Sequence, residues 1–224
     1  MRCLRMRTAP VIVWMASAFC AALGLAAGVL IALGAQKEGI LVALAATARL
    51  AFLLFWPAYS AGALVSLFGP TFQPLKQRAR EFGLAFASAQ LVHLGLVVWL
   101  CLIGAAPGVS TFILFGIAAV WVYVLALFSI NRLHQALGPK YWRLLSMVGM
   151  NYIAYAFAVD FLKNPLHGGV WQVVKYLPFT VLAFAGPGLR LAAWTQRVWH
   201  KWRVSPIDIQ PLKSPEKRAV TTAP

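Results

Sequence analysis

The sequence predicts an all-α fold: a polytopic membrane protein built as a six-helix transmembrane bundle with both termini cytoplasmic. Three observations predict it. Of the 224 residues 61% are hydrophobic and 11% charged, with a mean hydropathy of +0.76, whereas a soluble domain carries about 25% charged residues. Apolar runs recur six times between charged or Pro/Gly punctuation, each long enough for the roughly 20 residues that cross a bilayer. The 20 Lys and Arg face only 5 Asp and Glu, and they gather on alternate connections. So little polar surface excludes a soluble enzyme and a disordered chain. It also excludes an ordinary nucleic-acid binder, whose basic face needs a hydrophilic body behind it.

The six runs are 11–34, 40–69, 82–104, 111–131, 142–163 and 170–193. The first follows Arg2, Arg5 and Arg7 and so imitates a signal peptide, with Ala32-Leu33-Gly34 in the place of a cleavage site. Its apolar stretch is longer than the usual signal core of about 7–15 residues, and it reads as a retained span. Gly24-x-x-x-Gly28 within it offers a close-packing seam. The second run is longer than the hydrocarbon core and contains Arg49 and Pro57. Its first residues, up to about Thr47, are expected near the interface, and Pro57 is expected to kink the span proper. Residues 1–203 thus make one transmembrane domain, and 204–224, with four prolines among polar residues, read as a disordered cytoplasmic tail. Just before that tail Trp194, Trp199 and Trp202 interleave with Arg197, Lys201 and Arg203. Directly after a span, that mixture suits an anchor on anionic membrane lipid better than a nucleic acid. Cys3, Cys20 and Cys101 form no CxxC pair and suggest neither a disulfide framework nor a zinc site.

Cations set the orientation. Arg2, Arg5 and Arg7, then Lys76, Arg78 and Arg80, then Arg132, Lys140 and Arg143, and finally Arg190 to Arg218 all fall on one side; Lys37, Lys163 and Lys175 fall on the other. By the positive-inside rule the first side is the cytoplasm, which for a bacterial chain makes this a multi-pass protein of the inner membrane.

No phosphate-binding glycine loop, HExxH or nucleophile elbow occurs. Chemistry is therefore sought in ionisable residues at membrane depth, which are costly there and tend to face a cavity, a cofactor or a partner. His93, Arg49 and Asp160 are the candidates. His93 shares one face of its helix with Phe86, Ala89, Gln90 and Val97, a mixture that suits a flat aromatic cofactor, although a lone intramembrane His also serves as a hydrogen-bond partner for a neighbouring helix. Arg49 and Asp160 lie toward the outer ends of their spans; an ion pair between spans 2 and 5 and a proton relay at Asp160 are both open.

The run from Arg80 through Gly83, Leu84, Ala85-Phe86 and Ala89 to His93 resembles the signature of the ferric reductase-like transmembrane superfamily. Within it the closest group is MsrQ (YedZ), the haem-binding membrane subunits of a periplasmic methionine-sulfoxide reductase system. Thr47-Ala48-Arg49 is similar to that family's T-G-R, and Leu137-Gly138 through Trp142 to Ser146 is similar to its L-G-x-x-W-x-x-L-H. The resemblance implies haem b ligated by His93, with Arg49 on a propionate. It also implies transfer of electrons from a cytoplasmic or quinol donor to a periplasmic reductase partner. No nucleotide-binding module is encoded, so a donor partner is required. The chain departs from the pattern where Ser146 replaces a His, and again thirteen positions later, where Val159 stands beside Asp160. Met150 and His167 are the substitutes available as a second axial ligand, and FMN or a quinone stays open as the redox group. The missing histidines support a second reading, a haem-less relative that keeps the scaffold as a membrane binding or assembly protein. A transporter using Arg49 and Asp160 is the third.

Overall fold

The computed structural model describes residues 2–130, 134–166 and 170–203. The expected tail at 204–224 and His167 lie outside the described residues. Among the described residues seven α-helices follow one another: α1 (Arg2–Leu33), α2 (Lys37–Phe68), α3 (Gln73–Gln77), α4 (Ala79–Leu102), α5 (Val109–Ile130), α6 (His134–Leu166) and α7 (Val170–Arg203). A 3₁₀ turn at Pro70–Phe72 precedes α3, and the described residues contain no strand. Six of the helices are long and apolar enough to cross a membrane, over Pro10–Leu33, Lys37–Phe68, Ala79–Leu102, Val109–Ile130, Leu137–Leu162 and Tyr176–Trp199. Large apolar side chains such as Ile31, Leu102, Val109 and Leu191 are exposed on their outer faces, as a lipid-facing surface requires.

Three local features go beyond the sequence expectation. The start of α2 is part of the bundle, with Ile40 and Ala43 fully buried, because the run from Ile40 to Leu44 contains no residue that would stop the helix. The connection after α2 is structured: Gly69, at φ 82, closes the helix by donating its N–H to the Val65 carbonyl at 3.1 Å. Pro70 and Pro74 then occupy first-turn positions, where proline's missing N–H costs nothing. Finally, the backbone of α6 breaks at Gly138 (φ 76, ψ 157), a left-handed value that favours glycine, and Pro139 opens the segment that crosses the membrane.

Side-chain contacts fix the arrangement. Trp14 and Met15 of α1 meet Phe82 and Ser88 of α4, so these helices run parallel. Thr47 meets His93 while Ala58 lies by Gly83, so α2 runs antiparallel to α4. Arg80 reaches Ser129 at the end of α5, and Trp56 donates to the Leu182 carbonyl of α7 at 2.8 Å. The interior has two parts. Between α1, α2 and α4 it is a seam of small residues, Ala18, Ala22, Ala26, Ala43, Ala85 and Ala89, which lets backbones approach where lipid offers no hydrophobic drive for association. The seam runs through these alanines and not through Gly24 and Gly28, which face open space. Between α2, α4, α6 and α7 the interior is aromatic, built from Phe52, Phe55, Phe86, Phe157, Phe161 and Tyr176 with Phe179 against them.

Candidate functional site

The T-x-R motif of α2 splits across two faces, because two residues on a helix are about 200° apart. Thr47 turns to α4, and its Oγ1 lies 3.0 Å from His93 Nδ1. The same oxygen is 2.9 Å from the Ala43 carbonyl and 3.1 Å from that of Leu44. With the hydroxyl proton on one of these carbonyls, Oγ1 accepts from Nδ1–H; with that proton turned to the ring, Oγ1 donates to the Nδ1 lone pair. The first arrangement is the Nδ1–H tautomer, with the lone pair on Nε2; the second is the Nε2–H tautomer. Thr47→Val removes the bond without changing the shape of the side chain. The expected loss of stability is about 0.6–1.7 kcal/mol, the range for single hydrogen bonds between membrane helices, read by unfolding in mixed micelles; no loss would mean that the bond does not hold α2 to α4.

Arg49 turns to α7. Its guanidinium carbon lies 4.6 Å from the centre of the Tyr176 ring and 5.6 Å from that of Phe179, a cation–π cradle, while its Nε is buried with no hydrogen-bond partner. Asp160 is half-buried on α6 and engaged in its own interaction. Nearby residues on α6 are also drawn into packing. Asn151 Oδ1 accepts from Tyr59 at 2.8 Å and from Arg190 at 3.3 Å, and Tyr152 donates to the Leu114 carbonyl of α5 at 3.3 Å.

A cavity of about 270 Å³ lies at the end of the bundle where Arg80, Ser129 and Trp142 meet, hereafter the basic end. Phe55 and Ala58 of α2, Gly83 and Phe86 of α4, Leu125 and Ala126 of α5, and Ser146 and Met150 of α6 line it. It is just below the size of small-molecule pockets, about 300–1,000 Å³. The Ser146 hydroxyl donates within its own helix, to the Trp142 carbonyl at 2.7 Å, so the charged group at the cavity is Arg80. Its Nη2 donates to the Ser129 carbonyl at 2.9 Å and its Nε to Ser129 Oγ at 3.3 Å. The sequence placed Arg80 and Ser146 in motifs and named Met150, but gave no sign that they share a cavity; Ser129 carried no signal at all.

A haem held by two imidazoles needs both rings in one gap between α4 and α6. Here the His93 ring is bonded to α2. It stands seven residues beyond Phe86 on α4, about 10 Å along the axis. Deep to the cavity, the gap between α4 and α6 is filled by rings: Phe86 and Phe157 lie 6.0 Å apart, and Phe55 packs on both at 5.3 and 5.6 Å. Among the described residues the cavity wall offers a thioether, Met150, and no imidazole. The residues present do not fit that haem. Among the described residues no group of three or more His, Cys, Asp or Glu gathers to hold a metal ion. No family model, curated protein or solved structure matches the chain.

Proposed function

We propose that this chain is a six-span protein of the inner membrane, with both termini in the cytoplasm, that keeps a ferric reductase-like scaffold but works by binding an amphipathic molecule rather than by carrying electrons. One observation carries the reading. The space beside Ser146 and Met150, two of the positions at which the resemblance would seek a ligand, is an apolar cavity with one cation at its rim and no imidazole on its wall among the described residues. Such a chamber has the chemistry to hold a molecule with an apolar body and an anionic or strongly polar head. The orientation rests on the positive-inside distribution of lysine and arginine. The test is a visible spectrum of the protein purified after expression with haem available, oxidised and then reduced with dithionite. A folded, monodisperse preparation is expected to show no Soret band. A stoichiometric band that disappears in His93→Ala overturns the binding reading.

That second outcome belongs to the electron-transfer reading, which the His93–Thr47 bond favours. A ligating imidazole is commonly oriented by a hydrogen bond on its other nitrogen, and the Thr47 contact at Nδ1 leaves Nε2 as the nitrogen that would ligate in the Nδ1–H tautomer. On that reading His93 holds haem b, with a cytoplasmic or quinol donor and a periplasmic reductase as partners.

A further inference from the structure

We infer that the cavity holds one acyl chain of an anionic phospholipid whose phosphate is bound by Arg80. The inference rests on the binding reading above and names its ligand class. The polarity of the chamber runs one way. Arg80 and Ser129 stand at the rim, and six residues deeper, about 9 Å along α4, the wall is Phe86 against Phe55. A molecule with one charged end and a slim apolar body matches that gradient. The guanidinium is exposed yet held by Ser129 through Nη2 and Nε, which leaves three of its five N–H groups to donate elsewhere. A guanidinium fixed in this way pairs with a phosphate through two parallel hydrogen bonds. Glu81, the next residue, lies about 100° round the helix. The headgroup's sign follows from the surroundings: Lys76 and Arg78 precede Arg80, and Lys140 and Arg143 open the span of α6. Cations clustered at the end of spans attract anionic lipid, whereas a zwitterionic headgroup brings its own positive charge to the same place.

The test uses the full chain in detergent, incubated with phosphatidylglycerol or with phosphatidylcholine of the same acyl chains, and counts retained lipid by native mass spectrometry. One phosphatidylglycerol per chain is expected, retained about tenfold better than phosphatidylcholine, because both carry the phosphate that Arg80 binds and only phosphatidylcholine brings a cation up to Lys76, Arg78, Lys140 and Arg143. Arg80→Gln is expected to lower retention of both lipids about tenfold, Arg80→Lys to fall between, and Arg78→Gln to narrow the preference while phosphatidylglycerol stays bound. Ala126→Phe, which fills the chamber, is expected to expel both lipids while Arg80 stays intact. Equal retention of the two lipids by the unaltered chain overturns the proposal, and that comparison decides even if a variant fails to fold. So does retention by Ala126→Phe equal to that of the unaltered chain. Release of phosphatidylglycerol by millimolar inorganic phosphate alone also overturns it, marking a free-anion site. A haem spectrum does not enter these outcomes, so the lipid proposal can fail while the binding reading stands.

Discussion

Phe52→Ala is expected to cost about 3 kcal/mol, the low end of the 3–5 kcal/mol seen for buried Phe→Ala changes. Phe52 is 1% exposed and packs on three rings, Phe161 at 4.9 Å, Phe157 at 5.2 Å and Phe179 at 6.3 Å. It thereby joins α2 to α6 and α7. In a bilayer the separated helices are already in an apolar solvent, so little of the cost comes from transfer out of water. What is lost is dispersion against neighbouring rings that cannot close the space. That puts the expectation at the low end. Titration with a denaturing detergent in mixed micelles measures it, with Phe112→Ala as the control. Phe112 is 54% exposed on α5, and its truncation is expected to change stability by less than about 0.5 kcal/mol. Equal losses at the two positions would mean that the aromatic interior does not hold the bundle together.

Gly149→Val is expected to destabilise by about 1–3 kcal/mol, the usual range for overpacking. A Cβ at Gly149 would stand 2.7 Å from Trp121 Cε3 and 2.9 Å from Leu125 Cδ1. The first of these belongs to the body of an indole, which cannot fold away, so α5 must move off α6. Helix propensity works in the other direction, since glycine in a helix interior is worse than alanine by about 1 kcal/mol. The clash is expected to win. Gly116 provides the comparison on α5: a Cβ there meets nothing within 4 Å, so Gly116→Val is expected to be neutral or mildly stabilising. A Gly149→Val protein as stable as the unaltered chain in the same titration would show that α5 is not held by close approach to α6.

The six spans were legible because each is a long apolar run with charge or Pro/Gly at its ends, and length and hydropathy need no knowledge of neighbours. The same logic put the start of α2 near an interface and said nothing of what would hold Arg49. The structure instead carries that arginine on Tyr176 and Phe179, two aromatic faces from the last helix that no local pattern announces. Helical periodicity placed His93 and Phe86 on one face of α4, which is true of the helix. It does not separate them, because α2 takes one and the aromatic interior takes the other. The Thr47–His93 bond joins two motifs that each looked self-contained. Their pairing depends on the register of two antiparallel helices, which sequence spacing does not encode. The cavity lay furthest from view. A void is set by what four helices fail to fill; Ser146 read as the place of a missing His and Met150 as a substitute ligand until Arg80 and Ser129 stood beside them.

The alanine seam bears on how this chain can be made. Helix α1 packs on α4 as well as α2, and α2 packs on α7, so neither of the first two helices completes its contacts with its neighbour in the chain. As synthesis proceeds, α1 and α2 enter the bilayer as an incomplete pair. Half of the polypeptide must emerge before α4 closes the seam against Ala22 and Ala43. Arg49 has its longest wait, until Tyr176 and Phe179 arrive with the final helix. During that interval a charged side chain at membrane depth lacks its aromatic cradle, at a cost of a few kcal/mol if it stays there. Insertion of α7 is therefore the step that seals the bundle, and the late arrival of one helix sets the order in which the others can settle.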